Sequence, residues 1–228
     1  MTDASAATAL IIGVGDGLSA SLARLLSREG YKVALAARDP GKLTALAAET
    51  KATTHRCDAS NPAEVEALFK AVGDLDVMVY NPSYRTRGPL VELDPAEVRR
   101  SLEITAFGAF LAGQQAARGM VKRRKGVIIF TGASAGVKGY PQSAPFAMGK
   151  FALRGLAQSM ARELHPQGVH IAHVVIDGGI RSARRPDPDG KDATLDPDSI
   201  AETYLHLIRQ NRDSWSWEIE VRPWVETF

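Results

Sequence analysis

Residues 9–19 read ALIIGVGDGLS, and this stretch decides the fold. Its four leading apolar residues are typical of a buried parallel strand. The glycines that follow permit a tight turn, and the helix that opens after them presents free N–H groups that favour an anion. The segment therefore predicts a strand–turn–helix unit that cradles a pyrophosphate, with Gly13, Gly15, Asp16, Gly17 and Leu18 as its binding residues.

Short apolar runs alternate with longer helical patterns along the rest of the chain, as expected of repeated β–α units with right-handed crossovers. Strands are predicted near Ala9–Ile12, Tyr31–Ala37, Thr53–Cys57, Val77–Tyr80, Gly126–Thr131, Val169–Ile176 and Trp217–Val221. Helices are predicted near Leu18–Glu29, Lys42–Glu49, Pro62–Ala71, Pro95–Val121, Phe146–Leu164 and Pro197–Gln210. We therefore expect one α/β domain over residues 1–228: a doubly wound, mostly parallel seven-stranded sheet with helices on both faces, a three-layer Rossmann-type fold.

Composition excludes several classes of function. The 28 basic and 26 acidic side chains give a net charge of +2, which argues against nucleic-acid binding or a membrane-surface role. No apolar run is long enough to span a membrane. The single cysteine, Cys57, fits a reducing cytoplasm and is expected to be a buried structural thiol. The histidines lack the spacing of a metal site, and His173 is expected to be an interior residue.

The end of the second predicted strand reads Ala36-Ala37-Arg38-Asp39. Dinucleotide folds often carry an acid here for the adenosine ribose, and an acid favours NAD. Here the acid is absent and Arg38 is adjacent, which favours the 2′-phosphate of NADP over NAD. Two features oppose this interpretation: Asp16 adds a negative charge nearby, and Asp39 could pair with Arg38.

Over nearly its whole length the chain resembles the short-chain dehydrogenase/reductase family. The family's TGxxxGxG motif is matched at Gly13 and Gly17, with Ser19 in place of the third glycine. Asp58 resembles the adenine-contacting aspartate, and Asn81 keeps one asparagine of the NNAG motif. The stretch Ile176–Ile180 is similar to the turn that meets the nicotinamide. The resemblance implies a nicotinamide cofactor, with Arg38, Asp58, Asn81, Lys150, Gly179, Ile180 and Ser182 among its contacts.

The family's chemistry implies four residues: an asparagine, a serine, a tyrosine that donates a proton, and a lysine. Only Lys150 matches. The tyrosine position of YxxxK is Phe146, the serine position is Ala133, and the asparagine position is Thr105. This pattern identifies an atypical member with a degenerate catalytic set, because a phenyl ring cannot donate a proton.

Substitute groups are available nearby. Ser134 would donate a hydrogen bond to a carbonyl if its turn shifts register by one residue. Tyr84 or Tyr140 could supply a phenol, although each could equally be a wall residue. The catalytic candidates are therefore Lys150, Ser134 and Tyr84. The Arg181–Asp198 segment is expected to be a surface loop, either a lid or a plain exposed connection.

Two principal functions remain open at this level. The first is an NADP(H)-dependent oxidoreductase acting on a small carbonyl, an alcohol or an activated double bond. The second is a catalytically inactive NADP(H)-binding sensor or partner-binding protein, and a lyase or isomerase is a third. The resemblance further implies a homodimer or homotetramer formed through the helices at Pro95–Val121 and Phe146–Leu164.

Overall fold

A computed structural model of the chain describes residues 6–182, 185–187 and 190–226. Seven strands form one sheet, and all of its neighbouring pairs are parallel. They are β1 Thr8–Ile12, β2 Lys32–Ala37, β3 Thr53–Arg56, β4 Val77–Tyr80, β5 Val127–Thr131, β6 His170–Ile176 and β7 Glu218–Val221. The predicted seven-stranded Rossmann-type sheet is confirmed, with each strand displaced by no more than one residue at its ends.

The sheet order is β3-β2-β1-β4-β5-β6-β7. The chain therefore winds outward in both directions from the pair β1 and β4, which is the switch point at which such sheets bind ligands. Ile12 pairs with Ala36 on one side and with Tyr80 on the other. The segments that follow these strands, including Gly13 and Asn81, consequently meet at one edge.

Helices cover both faces, and two separate hydrophobic cores result. One core lies under the helices α1, α2 and α7, and the other lies under α3, α5 and α6. The helices are α1 Leu18–Arg28, α2 Thr44–Thr50, α3 Pro62–Val72, α4 Pro95–Leu102, α5 Gly108–Arg123, α6 Ala144–Leu164 and α7 Pro197–Arg209. The predicted start signals are present: Asp94 accepts from the N–H of Ala96, and Asp196 accepts from that of Ser199.

The predicted helix Pro95–Val121 is not one regular helix. A π-helical turn, Glu103–Phe107, separates α4 from α5. Tyr80 explains this break, because its hydroxyl reaches from β4 to donate to the carbonyl of Ile104, at 2.5 Å. Gly108 lies against the same hydroxyl, where a side chain would collide with it. Such turns often lie at functional sites, and this one positions Thr105.

Among the described residues, none of the helices has the length and apolar character needed to cross a bilayer. The expected loop at Arg181–Asp198 lies partly outside the described residues, at 183–184 and 188–189. Its described parts fold back on the end of β6: Ile180 bridges to Leu195, and Ser182 bridges to Arg185.

Candidate active site

A cleft of about 460 Å³ opens at the carboxyl edge of the sheet, across the switch point between β1 and β4. It is lined by the glycine turn, the end of β2, the end of β3 and the segment after β4. Its lining residues are Ile12, Gly13, Val14, Gly15, Asp16, Ala37, Arg38, Asp39, Lys42, Leu43, Cys57, Asp58, Ala59, Asn81, Pro82, Ser83, Tyr84 and Ile104. Six of the sequence-predicted binding residues are thus brought together here: Gly13, Gly15, Asp16, Arg38, Asp58 and Asn81.

The three glycines of the turn differ in what they do. Gly13 has φ +82° and lies so close to Pro82 that an added Cβ would be 2.7 Å from its ring. A side chain at this position would be strained and would collide, so the fold itself requires this glycine. Gly15 and Gly17 face open space instead. Their missing side chains leave room for a ligand to approach the backbone.

The start of α1 is free to receive an anion. Gly17 precedes the helix without a capping side chain, and the first turn carries no acidic residue. The first N–H groups of a helix have no partner within it, so they are available to a phosphate. Leu18 contributes only its backbone here, because its side chain is buried in the core. Asp16 is exposed at the rim.

Ser19 turns out to link two motifs. Its buried hydroxyl donates to the carbonyl of Gly13 at 3.2 Å and accepts from the side-chain amide of Asn81 at 2.7 Å. The serine that replaces a motif glycine therefore fixes the glycine turn to the segment after β4. This explains how Asn81 is oriented at the cleft.

The adenosine end of the cleft carries two cations, Arg38 and Lys42, together with the carboxylate of Asp58. Arg38 lies at the end of β2, and Asp39 accepts from Gly41 and pairs with Lys42 at 3.7 Å rather than with Arg38. The hydrogen bond from Ser60 lowers the pKa of Asp58, and the charge of Arg38 acts in the same direction. Lys42 was missed in the sequence, although its position four residues after Arg38 was a usable signal.

Lys150 occupies the other end of the site. It lies on α6 with only 3% of its surface exposed, and its Nζ donates to the carbonyl of Thr131 at 2.7 Å. Burial, with a smaller contribution from the charge of Arg85, lowers the pKa of this amine to about 7. A lysine so buried can change its protonation state near neutral pH.

Phe146 is one turn before Lys150 on the same face, and it is 5% exposed. The Lys150 nitrogen lies 5.8 Å from the centre of its ring. The phenyl ring thus fills the position from which the family's tyrosine would act. Sequence analysis missed a cation here: the guanidinium of Arg85 lies over this ring, at 4.1 Å from the centroid.

The turn after β5 brings Ser134 to this end. Ala133 is extended, and Ser134 begins a short 3₁₀ turn that ends at Gly136. Gly136 packs against the backbone of Lys150. The part of the chain that the structure describes offers no hydrogen-bond partner to the Ser134 hydroxyl, which leaves this group available to a substrate.

Thr105 stands in the place of the family's asparagine, but it acts as a packing residue. It is fully buried, its hydroxyl accepts from the N–H of Tyr84 at 3.3 Å, and its side chain fills the space beside Gly149.

The phenol of Tyr84 has a carboxylate as its partner. Its hydroxyl donates to Glu97, and Arg100 lies over its ring. The bond to Glu97 raises the pKa of the phenol. Tyr84 lines the cleft with its hydroxyl engaged by Glu97, and its role as the substitute acid stays a prediction. Tyr140 is exposed, and the nitrogen of Lys138 lies 5.8 Å from its ring centre.

The turn after β6 forms the remaining wall. Asp177 is buried and held by Lys138 at 3.4 Å and Arg222 at 2.9 Å. Gly178 has φ +148°, and a Cβ there would meet Pro223. Gly179 is covered by the side chain of Arg185, with which a Cβ would collide. The predicted contacts Gly179 and Ser182 are neighbours of Arg185, which sequence analysis did not select, and Ile180 pairs with Leu195.

The cysteine and the buried histidine are shifted by burial toward their neutral forms. Burial raises the pKa of Cys57 to about 11, so this thiol is not an active nucleophile. His173 is buried under the turn at Gly132, and burial lowers its pKa to about 4. No cluster of three potential metal ligands occurs among residues 6–182, 185–187 and 190–226.

Comparison with known proteins agrees with this arrangement. Residues 7–186 match the family model for short chain dehydrogenase. A 2,5-dichloro-2,5-cyclohexadiene-1,4-diol dehydrogenase of Sphingobium indicum is 30% identical over 205 residues, which are 86% of this chain and 82% of that protein. A short-chain dehydrogenase structure from Rhodopseudomonas palustris superposes with a TM-score of 0.84 at 33% identity, covering 96% of this chain and 99% of the other.

A metagenomic short-chain oxidoreductase solved in complex with NADP is 29% identical, with a TM-score of 0.83 over 95% of this chain and 97% of the other. The family match spans most of the chain, and the sheet order, the glycine turn and the buried lysine agree with it. The chain therefore belongs to the short-chain dehydrogenase family of nicotinamide-dependent oxidoreductases.

Proposed function

We propose that this protein is an atypical NADP(H)-dependent oxidoreductase that acts on a small carbonyl compound, an alcohol or an activated double bond. The observation that carries the proposal is Lys150, an amine on α6 that is buried beside Phe146 and the end of β5. Burying an amine costs free energy unless hydrogen bonds satisfy it. Among the described residues, only the backbone carbonyl of Thr131 accepts from Lys150. Its remaining N–H groups suit the ribose hydroxyls of a nicotinamide cofactor.

The cleft fits such a cofactor. Gly15 and Gly17 leave the space that a pyrophosphate needs, beside the uncapped start of α1. Asp58 uses one carboxylate oxygen for Ser60, which leaves the other to accept from an adenine amine. When bound, NADPH supplies the hydride that reduces the substrate carbon.

The chain would complete the reduction with one hydroxyl group and a proton from water. Ser134 is available to donate a hydrogen bond to the substrate oxygen. Phe146 supplies no proton, so the proton that balances the hydride would come from water, which leaves hydroxide. The products are then the alcohol and NADP⁺. We expect such a reaction to be slower than in a relative with a tyrosine, by on the order of 10²–10⁴-fold.

The preference for NADP over NAD rests on Arg38 and Lys42, which line the adenosine end without an acid at Ala37. A 2′-phosphate there would meet two cations. The NADP complex of the metagenomic relative supports the same choice.

A second function has a specific observation in its favour. Phe146 and Ala133 together remove the family's acid and its serine, which supports a catalytically inactive NADP(H)-binding sensor or partner-binding protein. A panel of small carbonyl compounds assayed for NADPH oxidation separates the two: turnover excludes the inactive protein, and its absence alongside tight NADPH binding favours it.

A homodimer or homotetramer is part of the proposal. Phe107 and Phe110 are exposed and stacked on the helical segment before and within α5, and Met148 and Phe151 are exposed on α6. An apolar surface of this kind suits a subunit contact. Light scattering would give a multiple of the 24.5 kDa chain mass; a monomer in solution would refute this part.

Equilibrium titration with NADPH and NADH tests the cofactor. We expect NADPH to bind more tightly by about 10- to 100-fold, the range that charged hydrogen bonds contribute. Arg38→Ser should abolish this preference, and Arg28→Ser on the exposed side of α1 is the charge-matched control. Equal affinities would overturn the NADP assignment, and failure of both nucleotides to bind would overturn the oxidoreductase.

A further inference from the structure

The position of the missing phenol is overlaid by a guanidinium. Arg85 follows β4 on the segment after Asn81, and it stacks on the Phe146 ring at 4.1 Å. A phenyl face attracts a cation through its quadrupole, so the ring stabilises the guanidinium at this position. Among the described residues no side-chain hydrogen bond or ion pair engages the guanidinium of Arg85, so its N–H groups are available to a ligand.

Other cations converge on the same place. The pKa of Arg85 is lowered, first by burial and then by the charges of Arg87 and Arg185. Arg185 lies on Gly179, at the turn after β6. The charge of Arg85 also acts on Lys150. Three arginines, Arg85, Arg87 and Arg185, and the amine of Lys150 are therefore close enough for their charges to act on one another.

Neighbouring acids are engaged elsewhere. Asp177 is held by Lys138 and Arg222, and Glu97 takes the hydroxyl of Tyr84. In the described residues no carboxylate lies within ion-pair distance of Arg85. A cluster of like charges without a counter-ion is unfavourable, and an anionic ligand would relieve it.

We propose that the substrate is an oxo acid, and that Arg85 and Arg185 bind its carboxylate while the carbonyl lies near Lys150 and Ser134. Paired N–H groups of a guanidinium match the two oxygens of a carboxylate. Since the pKa of arginine stays far above neutrality, Arg85 cannot donate the missing proton. Its role is to bind and orient the substrate.

This inference rests on the proposed function, because it names the substrate of that reaction. It also accounts for Phe146: a flat apolar ring holds Arg85 in place without competing for its N–H groups. The residue that removes the family's acid thereby builds an anion site.

The test compares three short oxo acids with their methyl esters: 2-oxobutanoate, acetoacetate and levulinate. Calorimetry measures binding to the whole protein, free and with NADPH. At least one acid should bind about 10- to 100-fold more tightly than its ester, the factor expected of a charged hydrogen bond. Arg85→Gln should remove this difference, and Arg85→Lys should keep part of it.

Arg99→Gln, an exposed change on α4, is the matched control and should keep the full difference. Thermal melting checks that the Arg85 variants remain folded. The proposal is overturned if every acid binds no better than its ester, if no acid binds, or if the preference survives Arg85→Gln.

The two proposals fail separately. Acid binding that depends on Arg85, found without NADPH binding or turnover, would remove the oxidoreductase and keep the anion site. Turnover of esters and acids at equal kcat/KM would keep the oxidoreductase and remove the anion site.

Discussion

The adenosine end and the reacting end of the site differ in how many of the family's residues they keep. At the adenosine end the turn keeps two of the family's three glycines, Gly13 and Gly17, and Asp58 keeps its aspartate. At the reacting end, three of four positions are changed, at Thr105, Ala133 and Phe146. Both ends are nevertheless well packed: Ser19 ties the first to Asn81, and Arg85 rests on Phe146 in the second.

This difference shows that nucleotide binding and proton transfer are separable demands. The first depends on backbone shape and the start of a helix, which many side chains leave intact. The second depends on one group at one position. Lys150 belongs to both, because it lies where the cofactor's ribose and the reacting groups would meet.

Lys150→Ala gives the largest expected effect. It tests whether nucleotide binding and turnover can be separated, because this amine belongs to both. It should abolish detectable NADPH oxidation with any substrate found, since the variant loses the amine that orients the reacting end. NADPH affinity should fall by only about 10-fold, because the glycine turn and Arg38 remain.

Kinetics and nucleotide titration on the same preparation check this, with the exposed Lys122→Ala as control. Unchanged turnover in Lys150→Ala would remove the role assigned to this amine.

Phe146→Tyr restores the missing acid, so the reacting end would again carry the family's proton donor. The cations Lys150 and Arg85 would lower the pKa of the new phenol, and carbonyl reduction should rise by about 10²–10⁴-fold. The measurement is kcat for NADPH-dependent reduction of a carbonyl panel. Phe146→Leu keeps the apolar volume without a hydroxyl and should show no gain; a similar gain there would contradict the explanation.

His173 distinguishes the two ends by a smaller effect, on the pH dependence of stability. It lies buried beneath the reacting end, whereas Arg38 and Lys42 at the other end are exposed. Burial lowers the pKa of His173 in the folded chain to about 4 from its ordinary 6.5. Below pH 6.5 the unfolded chain therefore binds a proton that the folded chain does not, and stability falls as the pH drops toward 4.

Between pH 7 and pH 5 this residue should remove about 2 kcal/mol from the free energy of unfolding. Urea unfolding at both pH values measures it. His173→Gln should lose that part of the pH dependence, and the exposed His206→Gln should not. An identical pH dependence in wild type and His173→Gln would refute the assignment.

Much of the site was predictable because it depends on local spacing. The glycine turn, the missing acid at Ala37 and the four-residue interval from Phe146 to Lys150 can all be read along the chain. Arg85 and Arg185 could not be found in this way. They are far apart in sequence. Only the packing of Arg85 on α6, and of Arg185 on Gly179, brings both to the reacting end.

Tyr84 shows the same limit in reverse. Its position after Asn81 predicted a phenol beside the pocket, where it lies, but not that its hydroxyl would donate to Glu97 on α4. The break in the helix at Glu103–Phe107 was equally invisible, since its cause is the hydroxyl of Tyr80 arriving from the sheet.

The sequence by itself determined the seven alternating strands and helices, the phosphate turn and the loss of the family's tyrosine, because periodicity, glycine and residue identity act over a few neighbouring residues. Only the tertiary structure decided which cations surround Phe146, which partner takes each hydroxyl, and that Lys150 is buried. Those outcomes depend on contacts between segments tens of residues apart, and no local pattern encodes them.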